Sequence, residues 1–75
     1  MELQNFVKLF AEQFDNTPAD QFKPETEFKN LQEWDSLTAL SIIAIVDEEM
    51  GKRITGADIR NSTSIEDLYK LIQSR

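Results

Sequence analysis

The sequence predicts an all-α fold, an antiparallel four-helix bundle with a short third helix and a long loop between the first and second helices. Apolar residues recur at helical spacing near both ends of the chain. Between them, an apolar segment continues for fourteen residues without glycine or proline. The chain has 75 residues and no cysteine, so its stability depends on compact helix packing rather than on disulfides.

The first helix is predicted from a face of apolar residues with a period near 3.6: Leu3, Phe6, Val7, Phe10, Ala11 and Phe14. An aromatic stripe can line a ligand site, but at helical spacing it is far more typical of a core. The segment 15–18 ends in Pro18, which disfavours helical geometry in the preceding residue and ends the helix. Thr17 and Pro18 can then open one short turn that continues to Phe22.

The segment 25–33 has no helical or strand period and is predicted to be a long loop. Phe28 and Leu31 are its apolar residues, and we expect both to fix the loop to the core. Connections of this length are uncommon in compact domains and are often functional. A crossover between antiparallel helices is the simpler interpretation, and the two are compatible.

The second helix is predicted over residues 37–50. The β-branched residues in this run also fit a buried strand, but its length favours a helix. Gly51 provides a suitable helix stop. Because apolar side chains point in nearly every direction, we expect a central helix, with Leu40 and Ile43 in the core.

Two capping signals predict the last two helices. Thr55 with Asp58 three residues later indicates a short helix, and Ser64 with Asp67 indicates a longer one that continues to the end. Residues 1–75 are expected to form a single domain. Its predicted buried residues are Phe6, Phe10, Phe14, Phe28, Leu40, Ile43, Ile65, Leu68 and Ile72.

Charge and composition exclude several classes of function. The net charge is −6, with fourteen acidic and eight basic residues, so we expect no nucleic-acid partner. Without histidine or cysteine, the chain lacks the usual general base and the commonest metal ligands, and we expect no metal site. No apolar run predicts a membrane span and no signal-peptide pattern is present, so we expect a cytoplasmic monomer without a membrane partner.

Ser36 stands where the second helix is predicted to begin, and the commonest role of a serine there is to cap the helix. Asp35 is an equally good cap and complements the helix dipole, so one of the two is not needed for capping. An enzyme built on Ser36 would need a neighbouring base, and this chain has no histidine and no lysine near it in sequence. We therefore expect no catalytic residue.

Asp35-Ser36-Leu37 before a hydrophobic helix resembles the attachment site of acyl carrier proteins, and the resemblance extends over essentially the whole chain. The predicted helices have the order and lengths of the helices in that family. Three further features match the family pattern: the acidic run at residues 47–49, the isoleucine before the short helix and the apolar pair at residues 71–72. The resemblance implies that Ser36 carries 4'-phosphopantetheine, supplied from coenzyme A by a phosphopantetheinyl transferase. It also implies docking on acyl-loading and acyl-processing enzymes with basic patches. The implied partner-binding residues are Asp35, Leu37, Asp47, Glu48, Glu49 and Ile54.

The acidic run has a physical argument of its own, because carboxylates at the C-terminal end of a helix oppose its dipole. Pairing of Glu48 with Lys52, and of Glu49 with Arg53, would compensate if the helix reached that far. Gly51 is expected to end it first, which favours a functional surface. Trp34, Leu37 and Leu40 are expected either to lie beside the attached group or to belong to the core.

Some residues depart from the family pattern. Glu33 and Trp34 stand where a glycine is usual, and Thr38 and Ser41 replace acids of the second helix. These departures favour a specialised pathway over the housekeeping fatty-acid carrier. A D-alanyl or peptidyl carrier is the alternative with the same fold, and an acidic helical adaptor that carries nothing is the alternative of another class.

Overall fold

A computed structural model describes residues 1–75 and contains four α-helices and no β-strand. The helices are α1 (Leu3–Ala11), α2 (Ser36–Met50), α3 (Gly56–Arg60) and α4 (Ile65–Gln73). Two short 3-10 turns, Ala19–Gln21 and Phe28–Asn30, lie in the long connection between α1 and α2. The all-α class, the short third helix and the long first connection are thus confirmed, and the antiparallel topology stays a prediction.

The first helix ends earlier than its apolar stripe. After Ala11 the backbone N–H groups of Gln13 and Phe14 donate to carbonyls three residues back, those of Phe10 and Ala11. This tightening from α to 3-10 geometry is common at helix ends. It leaves Phe14 outside α1 but still buried, so the stripe predicted burial correctly and the helix boundary only approximately.

Local signals at the other helix ends are confirmed. Gly51 has a φ of 65°, in the left-handed region, and its N–H donates to the Asp47 carbonyl to close α2. Thr55 with Asp58 and Ser64 with Asp67 both form reciprocal capping boxes at the starts of α3 and α4. These ends depend on residues three or four apart, which is why the sequence predicts them.

The core is one cluster that draws on all four helices and on the long connection: Phe6, Val7, Phe10, Phe14, Phe22, Phe28, Ile42, Val46, Ile54, Ile59, Ile65, Leu68 and Ile72. Phe10 is central, because its ring lies within 6.4 Å of the rings of four phenylalanines, Phe6, Phe14, Phe22 and Phe28, measured between ring centroids. The half-buried ring of Trp34 stacks on it at 6.3 Å with the two planes 5° apart. Phe28 therefore fixes the connection to the core as expected, and Leu31 is half-buried beside it.

Two core predictions on α2 need correction. Leu40 is 60% exposed, and Ile43 is only half-buried. The fully buried side chains of α2 are instead Ile42 and Val46, four residues apart on the inward face. The run is apolar on nearly every side, but the other helices cover only one side of α2, and the opposite side faces solvent.

Polar contacts tie the long connection to α3 and α4. The first N–H groups of α4, those of Ile65 and Glu66, donate to the carbonyls of Thr26 and Pro24. At the end of α3, the Lys29 ammonium donates to the Arg60 carbonyl at 2.6 Å. No helix combines the length and the apolar character that crossing a membrane requires.

Candidate functional site

Asp35 is the N-cap of α2. Its backbone is extended (φ −154°, ψ −175°), and its Oδ1 accepts from the Thr38 N–H at 2.8 Å and from the Thr38 hydroxyl at 2.9 Å. The N–H of Thr38, followed by its hydroxyl, holds the pKa of Asp35 below its ordinary value. Because the pKa of Asp35 is lower in the folded protein, the cap stabilises the fold at pH values above the pKa that Asp35 has in the unfolded chain. This contribution is lost as the pH falls through the lower folded value.

Ser36 is the first residue of α2, one position inside the cap. It is exposed, and its hydroxyl makes no hydrogen bond within the chain. Ser64 shows the contrast, because its hydroxyl accepts from the Asp67 N–H at 3.1 Å and caps α4. Of the two candidate caps at the start of α2, Asp35 therefore does the capping and the Ser36 hydroxyl is free.

Of the two residues before Asp35, Trp34 packs against the core and Glu33 is anchored to the connection that follows α1. The carboxylate of Glu33 accepts from the N–H groups of Asp15 (2.8 Å) and Asn16 (3.0 Å) and from the Thr17 hydroxyl (2.7 Å). Sequence reasoning missed this contact, because the donors lie 16 to 18 residues away and no local spacing points to them. The only signal for this contact in the sequence is that Glu33, a carboxylate outside any periodic pattern, stands shortly before Ser36.

Apolar surface lies beside the Ser36 hydroxyl. Leu37 is 72% exposed and Leu40 is 60% exposed, although both belong to the first turns of α2. Of the three residues expected either beside the attached group or in the core, only Trp34 packs against the core. The two leucines are free to contact another molecule.

The acidic run at residues 47–49 is exposed and forms no ion pair. Because α2 ends at Met50, Glu48 does not share a helix with Lys52, whose ammonium donates to the Arg75 carbonyl instead. The dipole penalty at this helix end therefore has no local compensation. With a rise of about 1.5 Å per residue, these carboxylates lie roughly 16–20 Å along the helix from Ser36.

Ile54, an implied partner-binding residue, lies in the core. Its side chain is 4% exposed and belongs to the central cluster. A side chain buried in this way offers almost no surface to a partner, so we exclude Ile54 from the candidate docking surface. Asp35 and Leu37 stay accessible next to Ser36.

A comparison with protein-family models matches residues 5–72 to the model described as a phosphopantetheine attachment site. No curated protein matches the chain at a significant level. The family match spans most of the chain and includes all four helices except the first two residues of α1 and the last of α4. Domains of this family carry covalently attached 4'-phosphopantetheine, and they generally interact with phosphopantetheinyl transferases and processing enzymes. The chain belongs to this family of phosphopantetheine carrier domains and is a carrier rather than an enzyme.

Proposed function

We propose that the chain is an acyl carrier protein that holds acyl intermediates as thioesters on 4'-phosphopantetheine attached to Ser36. One observation supports Ser36 as the attachment site. Within the matched range, the Ser36 hydroxyl is exposed at a helix start and has no hydrogen-bond partner, because Asp35 supplies the cap. The absence of cysteine fits this role, since the prosthetic group would bring the only thiol.

The residues around Ser36 fit a phosphodiester. The first N–H groups of a helix and its dipole favour an anionic phosphate, and α2 is fifteen residues long. The adjacent carboxylate, that of Asp35, is already bound by Thr38. Leu37 and Leu40 give the arm and the transferase an uncharged surface to lie against.

The attachment step requires a base that this chain does not supply. The Ser36 Oγ would form a bond to the phosphorus next to the pantetheine, and the pyrophosphate bond of coenzyme A would break. The leaving group is adenosine 3',5'-bisphosphate, and the serine proton goes to a base on the transferase. Asp35 is a poor base here, because Thr38 occupies its oxygen and lowers its pKa.

Docking on basic surfaces is supported by Asp47, Glu48 and Glu49. They are exposed, form no ion pair and lie on the same helix as Ser36. We infer a partner surface that combines the apolar start of α2 with its acidic end. Exposed charges contribute mainly to the rate of encounter, so such docking should weaken with salt.

The test is the intact mass of the protein after incubation with coenzyme A and a phosphopantetheinyl transferase. We expect the wild-type protein to gain one phosphopantetheine and the Ser36→Ala protein to gain none. Ser41→Ala is the matched control, because Ser41 is an exposed serine five residues further along α2. Modification of the Ser36→Ala protein, or none of the wild type, would overturn the assignment.

We also infer that residues 1–75 are one carrier domain, an antiparallel bundle that acts as a monomer in the cytoplasm in fatty-acid synthesis or a related pathway. The single core shared by all four helices supports one domain. Light scattering of the purified protein tests the monomer, and a dimer would contradict it. The mass of the carrier isolated from cells identifies the group it holds.

A further inference from the structure

The three residues before Ser36 are each held by a different kind of contact. Glu33 is held through its carboxylate, Trp34 through ring packing on Phe10 and Phe28, and Asp35 through the cap of α2. Ser36 follows them with a side chain that makes no hydrogen bond. The residue that would accept phosphopantetheine thus stands at the end of a fixed segment.

The ring of Trp34 contacts α1 itself, through Phe10, and the carboxylate of Glu33 joins the segment to the chain that follows α1. Its three donors belong to the consecutive residues 15–17, just past the end of the helix, and they surround one carboxylate. Successive backbone N–H groups in a turn form a concave anion site, and bonds to an ionised acceptor are stronger than neutral ones. The Thr17 hydroxyl, with the two N–H groups, holds the pKa of Glu33 below its ordinary value, so the carboxylate is ionised at neutral pH.

Glu33 also contacts the first turn of α2. The Thr38 hydroxyl and N–H donate to Asp35, at 2.9 and 2.8 Å, and the Glu33 carbonyl oxygen lies 3.4 Å from the same hydroxyl as its weaker second contact. The contacts therefore run from residues 15–17, through Glu33, to Thr38 and the cap beside Ser36. Movement of Glu33 would be transmitted to that cap.

We propose that Glu33 is a positioning residue for modification at Ser36, holding the start of α2 in the conformation that the transferase binds. This inference rests on the proposed attachment at Ser36. When only a fraction of a substrate is in the binding-competent conformation, its apparent affinity falls by that fraction. Loss of the Glu33 contact should therefore raise the KM for the carrier and leave kcat nearly unchanged.

The decisive variant is Glu33→Gln, which keeps the size of the side chain but turns one acceptor oxygen into a donor nitrogen that faces another donor. Its matched control is Glu25→Gln, which removes the same charge from the same connection, where Glu25 is exposed and makes no side-chain hydrogen bond. We expect the KM for Glu33→Gln to rise roughly threefold to tenfold. Glu25→Gln should behave as the wild type.

A second pair of variants changes the donor of this contact, the hydroxyl of Thr17, instead of the acceptor on Glu33. Thr17→Val deletes the hydroxyl that donates to Glu33, and Thr17→Ser restores one. We expect Thr17→Val to raise the KM in the same direction as Glu33→Gln, and Thr17→Ser to return it towards the wild-type value. This pair keeps the test available if Glu33→Gln does not fold.

Amide exchange in the unmodified protein gives a measurement independent of the transferase. The N–H groups of Thr38 and Ala39 both donate to Asp35 and so report on the cap. We expect faster exchange at both in Glu33→Gln, at a temperature where circular dichroism shows the protein fully folded. A role confined to the connection would change exchange only at Asp15 and Asn16.

The outcomes separate this inference from the proposed function. If the wild type is not modified at Ser36, the proposed function fails. If the wild type is modified and Glu33→Gln matches Glu25→Gln in KM and in exchange at Thr38, the attachment stands and the positioning role is wrong. A raised KM with faster exchange at the cap supports it.

Discussion

The two faces of α2 carry similar apolar side chains in opposite environments. On the inner face Ile42 and Val46 are fully buried, whereas on the outer face Leu37 and Leu40 are 72% and 60% exposed. The outer face also carries Ser36 at its start and Asp47 near its end, both exposed. One helix thus contributes both to the core and to the surface that a partner would contact.

This difference shows that hydrophobicity alone does not decide burial in α2. A leucine contributes to stability mainly where other side chains surround it, and Leu37 and Leu40 lie mostly in solvent. Large exposed apolar side chains that lie together are typical of interaction sites. The exposure of both leucines supports the proposed docking surface at the start of α2.

Truncation on the two faces should have the most unequal effects on stability. We expect Ile42→Ala to lower the free energy of unfolding by about 2–5 kcal/mol, because it leaves a cavity in a packed core. Leu40→Ala removes a side chain that is mostly in solvent and should change it by less than about 0.5 kcal/mol. Chemical denaturation measures both, and equal losses would mean that the inner and outer faces have been exchanged.

The sequence predicts α2 but not its orientation. In α1 and α4 the apolar residues form one stripe, so Phe6, Phe10, Leu68 and Ile72 were placed in the core correctly. In α2 apolar residues surround the axis, and only the packing of the other elements chooses between Ile42 and Leu40. Rotation of the helix is a tertiary property that no period in this segment encodes.

In the candidate site, too, some features depend on neighbouring residues and others on contacts between distant segments. Asp35 and Ser36 belong to a local motif, and the cap joins two residues only three apart. The anchoring of Glu33 depends on donors 16 to 18 residues away, and the burial of Ile54 depends on the whole core. Local chemistry was therefore predictable, and contacts between distant segments were not.

Ser36 and Ser64 both stand at helix starts, but only the Ser64 hydroxyl caps its helix. We expect Ser64→Ala to destabilise the protein by about 0.5–2 kcal/mol, because it removes the cap of α4. Ser36→Ala should leave the melting temperature nearly unchanged, since Asp35 still caps α2. Thermal unfolding of both variants measures this, and a comparable loss for Ser36→Ala would show that its hydroxyl is structural.

The smallest expected effect concerns the acidic end of the outer face. Glu48→Lys reverses one exposed charge that has no partner in the chain, and such a charge contributes on the order of 0.2–1 kcal/mol to docking. We expect a slower modification rate at low salt, because the acidic cluster steers the encounter with a basic partner surface. High salt screens the interaction, so the rates of wild type and variant should converge as salt is raised.

The matched control for Glu48→Lys is Glu25→Lys, which changes the net charge by the same amount at an exposed position outside α2. Net charge alone would slow both variants equally, whereas docking at the end of α2 would slow only Glu48→Lys. The measurement is the initial rate of modification across a salt series for the three proteins. If Glu48→Lys coincides with the wild type at low salt, the acids at residues 47–49 only solvate the end of the helix. The apolar start of α2, with Leu37 and Leu40, would then be the remaining surface on which a partner docks.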